Sequence, residues 1–261
     1  MDTSIPAPPP QPPLVDLGQP QSSGTIAPWW HTVLLLLLMV GISLSGAKHI
    51  QSMSHHQRMA EYVVTIVMQW LLVLYVFWGL RLGRRLTLRE LIGGRWQNPE
   101  AFLIDVAIAI GFRVVSTAVL AILALAFGGL HLGSASELKS RLEVLYPDGL
   151  SEQLLFQLLC LTAGFCEEVM YRGYLQRQFT GVLKSVWAAI TLQAVIFGAS
   201  HAYQSAQGML LVGVLGFLFG ALAQWRRSLR PGMIAHFSQD SIAGLLGRWF
   251  LKNGDKLLPK H

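Results

Sequence analysis

The chain has 261 residues, of which 52% are hydrophobic and only 13% charged. Soluble domains carry roughly 25% charged residues; this deficit, with several long apolar runs, excludes an ordinary soluble enzyme and predicts an all-α, polytopic transmembrane bundle of about seven (six to eight) spanning helices. The net charge of +6 lies in the loops beside the apolar runs, which is the positive-inside distribution and not a nucleic-acid-binding face. Membrane lipids are the expected surroundings, and no nucleic-acid partner is expected.

Residues 1–28 hold eight of the twelve prolines and no Lys or Arg, the composition of a disordered, Pro-rich tail. Residues 29–150 read as N-terminal membrane helices. The first segment, 26–46, has Trp29 and Trp30 at one edge and no basic stretch before it, so it reads as a spanning helix and not a secretory signal. The second covers 62–82. His49, His55 and His56 fall between them without Cys or carboxylate at ligand spacing, and read as solvated loop residues. Residues 84–96 interleave four arginines with Leu86, Leu88, Leu91 and Ile92, an interfacial amphipathic stretch. The third segment, 101–127, carries Asp105 and Arg113, which are expected to form structural pairs. A polar loop over 130–150 closes on the turn signal Pro147-Asp148-Gly149, with Ser151 as a helix N-cap.

Residues 151–251 hold the remaining segments. The fourth runs from Glu152 through Arg172, the fifth over 185–203, the sixth over 208–225 with Gly216 and Gly220 spaced for close packing, and the seventh over 231–251. Residues 252–261 form a short basic tail. The loops after segments two, four and six hold eleven Lys or Arg against eight on the other side, which puts those loops and the N-terminus in the cytoplasm. Cys160 and Cys166 lie about 9 Å apart along one helix, too far to bridge.

The polar residues of this second half are the anomaly. Glu167, Glu168 and Arg172 close the apolar run 154–164, and an ionised carboxylate at membrane depth costs about 2.5–3.5 kcal/mol. Glu168 and Arg172 are i,i+4 and can pair. Glu167 points about 100° away with no partner nearby in sequence. His201 repeats the anomaly in segment five. His236 and Asp240, again i,i+4, repeat it in segment seven. Glu167 and His201 are similar distances from the turn near 181–184, so a hairpin brings them to one depth. His236 lies closer to its own turn, at 228–231, and reaches that depth only if the helices are offset or the first hairpin projects beyond the bilayer.

Peptide hydrolysis needs a base to activate water and donors for the oxyanion. Glutamate suits the first role and imidazole suits either. Glu167, His201 and His236 also compose a His2Glu set, a zinc combination that leaves one position for water. No Ser-His-Asp or Cys-His spacing stands out.

Glu167-Glu168-x-x-x-Arg172, Phe197-x-x-x-His201 and His236-x-x-x-Asp240, in that order on hydrophobic segments, resemble the CPBP intramembrane protease family. That family comprises CAAX prenyl endopeptidases (Rce1-type) and bacteriocin-immunity, Abi-type proteins. The similarity covers roughly residues 150–250. It implies that Glu167 activates water with help from His201, that His236 and the residue at 240 stabilise the oxyanion, and that Glu168 and Arg172 hold the first motif in shape. The family often has Asn where this chain has Asp240, and an ionised Asp cannot donate to an oxyanion. Metal-dependent (zinc) and glutamate-dependent chemistry have both been described for the family; this reading leans to the metal-independent one, in a cavity opening to the cytoplasm. The expected substrate is a membrane protein or lipidated peptide, including prenylated CAAX sequences, in the plasma membrane of a prokaryote. The alternatives are a non-proteolytic scaffold or immunity-type protein that uses the same bundle to bind a partner, and a transporter, which only the buried charges support.

Overall fold

The computed structural model describes residues 24–52, 57–127, 146–147 and 149–257. Among the described residues the chain is helical, with no strand. The helices are α1 (Trp29–Ser52), α2 (Arg58–Leu82), α3 (Leu88–Ile92), α4 (Pro99–Ala126), α5 (Leu150–Glu167), α6 (Gln176–Leu183), α7 (Val186–Ala199), α8 (Ala206–Arg226) and α9 (Arg230–Leu257). A π-helical stretch, Glu168–Leu175, joins α5 to α6, so that these three pieces form one continuous 34-residue rod.

Side chains fix several of the starts. Asn98 caps α4 by accepting from the Ala101 N–H, with Pro99 at the first helical position, where its missing N–H costs nothing. Ser185 and Ser205 cap α7 and α8 in the same way. Thr87 and Glu90 form a reciprocal capping box on α3, and the Thr87 amide and hydroxyl hold the Glu90 carboxyl below its ordinary range. Gly149 stands at the N-cap of α5; Ser151, expected there, lies inside the helix.

By length and composition α2, α4, the α5–α6 rod and α8 are able to cross a membrane. Residues 29–45 of α1 and all of α7 are shorter apolar helices. The last of the seven expected segments maps onto α9, which is long but more polar. Outward faces are apolar: Ile110, Val114, Ile122 and Leu125 of α4 are all exposed. The molecule is an integral membrane protein.

Several boundaries differ from expectation. Residues 24–28, expected as part of the 1–28 tail, are packed: Ile26 and Ala27 are buried, and both donate their N–H groups to Gln178 Oε1, at 2.8 and 3.1 Å. Residues 1–23 lie outside the described residues. His49 falls inside α1 and not in a loop, while His55 and His56 lie outside the described residues. The seventh segment, expected to end at Leu251, continues as helix to Leu257.

Glycines set the closest helix contacts. A Cβ on Gly164 would stand 2.9 Å from the Phe237 nitrogen and 3.1 Å from the Met233 oxygen, so α5 and α9 touch backbone to backbone. Gly216 and Gly220 do for α7 and α8 what their spacing promises: a Cβ there would meet Phe197 at 2.8 Å and Gln193 at 2.7 Å. α9 begins level with Gly173, whose Cβ would sit 3.2 Å from Leu229. The α6–α7 hairpin therefore runs on past the α8–α9 turn. This projection is how His236, so near its own turn, comes level with Glu168.

Asp105 and Arg113 do not pair with each other. Asp105 is buried and takes Arg226 and Arg230 at 3.1 Å each, with the Trp96 indole N–H at 2.9 Å. Arg113 donates to Gln239. Both are cross-helix contacts, as expected of structural residues.

Candidate active site

The site forms where α5 meets the π stretch, against α2, α7, α8 and α9. π turns occur often at functional sites, and this one starts at the second carboxylate of the pair. The Gln176 N–H reaches back five residues to the Tyr171 carbonyl, and every residue from Glu168 to Leu175 is buried.

The adjacent carboxylates have different surroundings. Glu168 is completely buried and takes Arg172 Nη1 at 2.9 Å. The same oxygen faces His236 Nδ1 at 3.2 Å. Arg172 is held in turn: Nη2 donates to the Gly216 carbonyl at 3.1 Å, and the guanidinium lies 4.4 Å from the Phe197 ring centre and 5.1 Å from that of Phe219. A Cβ on Gly232 would approach Glu168 Oε2 to 3.1 Å, so α9 closes over this pair. Glu167 keeps 15% side-chain exposure. Its Oε1 accepts from Gln69 Nε2 at 2.9 Å, and its Oε2 lies 3.7 Å from His236 Nε2.

His236 joins the two carboxylates to a third. A carboxylate can only accept, so the ring hydrogen on Nδ1 goes to Glu168. Nε2 then faces Glu167 and, at 3.6 Å, Asp240 Oδ2. The imidazole stacks on Phe219 at 5.2 Å. Asp240 is the most open member, at 33% side-chain exposure.

His201 comes from a different element and sits within electrostatic reach of Asp240. It falls in the turn after α7 and not inside a helix. Its Nδ1 donates to the Phe197 carbonyl at 2.8 Å, which fixes the ring and leaves Nε2 for other partners. The Phe197 ring is 4.9 Å from His201 and 6.2 Å from His236. Tyr171 donates to Ser200 Oγ at 2.8 Å, and Ser200 Oγ donates to the Phe197 carbonyl at 2.8 Å. The turn carrying His201 is thereby tied to the π stretch. Among the described residues no three His, Cys, Asp or Glu side chains are gathered as a metal-binding group.

A second buried polar group lies beside the site. Gln178 Nε2 donates to Thr32 Oγ1 at 2.9 Å, Thr32 lies 2.9 Å from the Tyr174 hydroxyl, and that hydroxyl lies 2.8 Å from His31 Nδ1. His31 Nε2 lies 2.9 Å from the Tyr75 carbonyl.

Residues 149–242 match the family model described as type II CAAX prenyl endopeptidase Rce1-like. The chain carries an Rce1-like domain. That domain spans α5 to the middle of α9 and holds Glu167, Glu168, Arg172, His201, His236 and Asp240. It agrees with the resemblance read from the three motifs. No curated protein and no solved structure matches the chain. Sequence reasoning missed Gln69, which lies outside the Rce1-like domain on α2. Its signal was a lone amide in the apolar run 62–82.

Proposed function

We propose that the protein is an intramembrane endopeptidase that hydrolyses peptide bonds of membrane-associated substrates, with prenylated CAAX sequences as the class its family description suggests. The observation that carries this reading is the unequal fate of two neighbouring carboxylates. Glu168 is consumed by Arg172 and His236. Glu167 keeps an oxygen turned toward His236 and residual access to solvent.

In this reading Glu167 Oε2 takes a proton from water as the water oxygen bonds to the scissile carbonyl carbon. The carbonyl π pair moves onto its oxygen. The oxyanion is stabilised by His236, which in its doubly protonated form offers Nε2–H, and by His201 from the rim. As the intermediate collapses the C–N bond breaks, and Glu167 passes its proton to the leaving nitrogen. Glu168 and Arg172 are positioning residues that aim His236. Asp240, an acceptor only when ionised, balances and orients His236 and does not itself hold the oxyanion.

The test compares wild type with Glu167→Gln at equal membrane levels in cells lacking the native gene, and reads newly created protein ends by mass spectrometry. Ends made by wild type alone are expected, and they name the substrate. Equal profiles from two folded chains would overturn the reading.

A further inference from the structure

Gln69 sits in the apolar helix α2, in a part of the chain that the Rce1-like domain does not include. Its placement is not accidental. α2 runs parallel to α5 and is locked to it at successive levels: Arg58 pairs with Glu152 at 3.2 Å, Tyr62 packs on Phe156 with ring centres 5.5 Å apart, and Trp70 stacks on Phe165 at 5.5 Å. With that register set, Gln69 faces Glu167 and donates Nε2–H to its Oε1 at 2.9 Å.

The other end of the amide is the unexplained part. Gln69 Oε1 is buried and accepts no hydrogen bond among the described residues. An unpaired buried acceptor costs about 1–3 kcal/mol, and an apolar side chain at this position would avoid that cost. We propose that Gln69 is a catalytic residue of the hydrolytic reaction, supplied by α2 from outside the Rce1-like domain, that orients both the base and the attacking water. Its N–H pins one oxygen of Glu167 and so leaves Oε2 as the atom that takes the proton. Its own Oε1 accepts the second hydrogen of the attacking water, which turns a water lone pair toward the scissile carbonyl. No bond to Gln69 forms or breaks, and the proton count of the hydrolysis is unchanged.

This inference rests on Glu167 as the base, and the test separates the two claims. The probe is a peptide spanning a bond that the wild-type chain cleaves, assayed with full-length protein in detergent. Gln69→Met removes donor and acceptor at similar volume. It is expected to lower kcat by about a hundredfold, the scale of general acid–base assistance, with KM within about twofold of wild type. Gln69→Asn keeps an amide but withdraws it by one methylene, and is expected to recover part of kcat. A purely structural role would lower the melting temperature of both variants without splitting kcat from KM. If Gln69→Met is poorly folded, Gln69→Asn carries the test, since it preserves polarity and nearly preserves volume. Wild-type kcat in either folded variant, beside an inactive Glu167→Gln, would overturn the role of Gln69 alone. Wild-type kcat in Glu167→Gln would overturn the base assignment, and the inference with it.

Discussion

Two buried polar groups lie side by side in this bundle, and each contains a histidine. Around His31 the hydrogen bonds close completely: both ring nitrogens, the Tyr174 and Thr32 hydroxyls and both ends of the Gln178 amide have partners. That group is built from neutral side chains, and His31 and Gln178 are completely buried. Around His236 the hydrogen bonds do not close. Glu168 Oε2, Arg172 Nε and Gln69 Oε1 are buried without partners among the described residues, while Glu167 and Asp240 remain partly exposed. A histidine in a membrane helix is therefore no marker of chemistry by itself. A satisfied neutral network rigidifies; an incompletely satisfied one, with charged groups and access, can act on a substrate.

The comparison can be broken at four places. Arg172→Met removes the cation from a fully buried pair and leaves Glu168 uncompensated. A loss of about 3–5 kcal/mol is expected, read as lower folded yield and melting temperature in detergent. His31→Ala removes two hydrogen bonds and a ring stacked on Tyr75 at 4.0 Å. A loss of about 2–4 kcal/mol is expected, with the cleavage rate per folded molecule unchanged. Tyr174→Phe deletes only the bridging hydroxyl and should cost about 1–2 kcal/mol in the same melting experiment, again with cleavage intact. Asp240→Asn should be mildest. The contact to His236 is long and one-third exposed, so a change of about fivefold in cleavage rate, near 1 kcal/mol, is expected. A loss of several hundredfold would show that Asp240 does more than balance His236.

Much of the Rce1-like half was legible because its signals are local. Glu168 and Arg172 pair within one helix, and an ionisable group in an apolar run is conspicuous alone. The bundle was legible for the same reason, since apolar length is a property of each segment. What could not be read were partners joined only by tertiary packing. Asp105 finds Arg226 and Arg230 on other elements, and Gln69 finds Glu167 across 98 positions of chain. His31 finds Tyr174, and its neighbour Thr32 finds Gln178, only through the packing of the first helix on the π stretch and α6. The π stretch carried no sequence signal. It widens the rod at Glu168, where Arg172, Gly216 and His236 converge. His201 was placed in a helix because segment five is apolar up to it, but α7 ends at Ala199 and the histidine belongs to the turn.

The central claim is that one polar group does the chemistry and its neighbour holds the fold. The most direct test puts Glu167→Gln and Tyr174→Phe through one experiment, counting new protein ends at matched membrane levels and measuring melting temperature in detergent. The account predicts that Glu167→Gln makes no new ends yet melts within about 2 °C of wild type, while Tyr174→Phe makes the wild-type set of ends and melts lower. Wild-type ends from Glu167→Gln, or their loss in Tyr174→Phe at unchanged melting temperature, would contradict it.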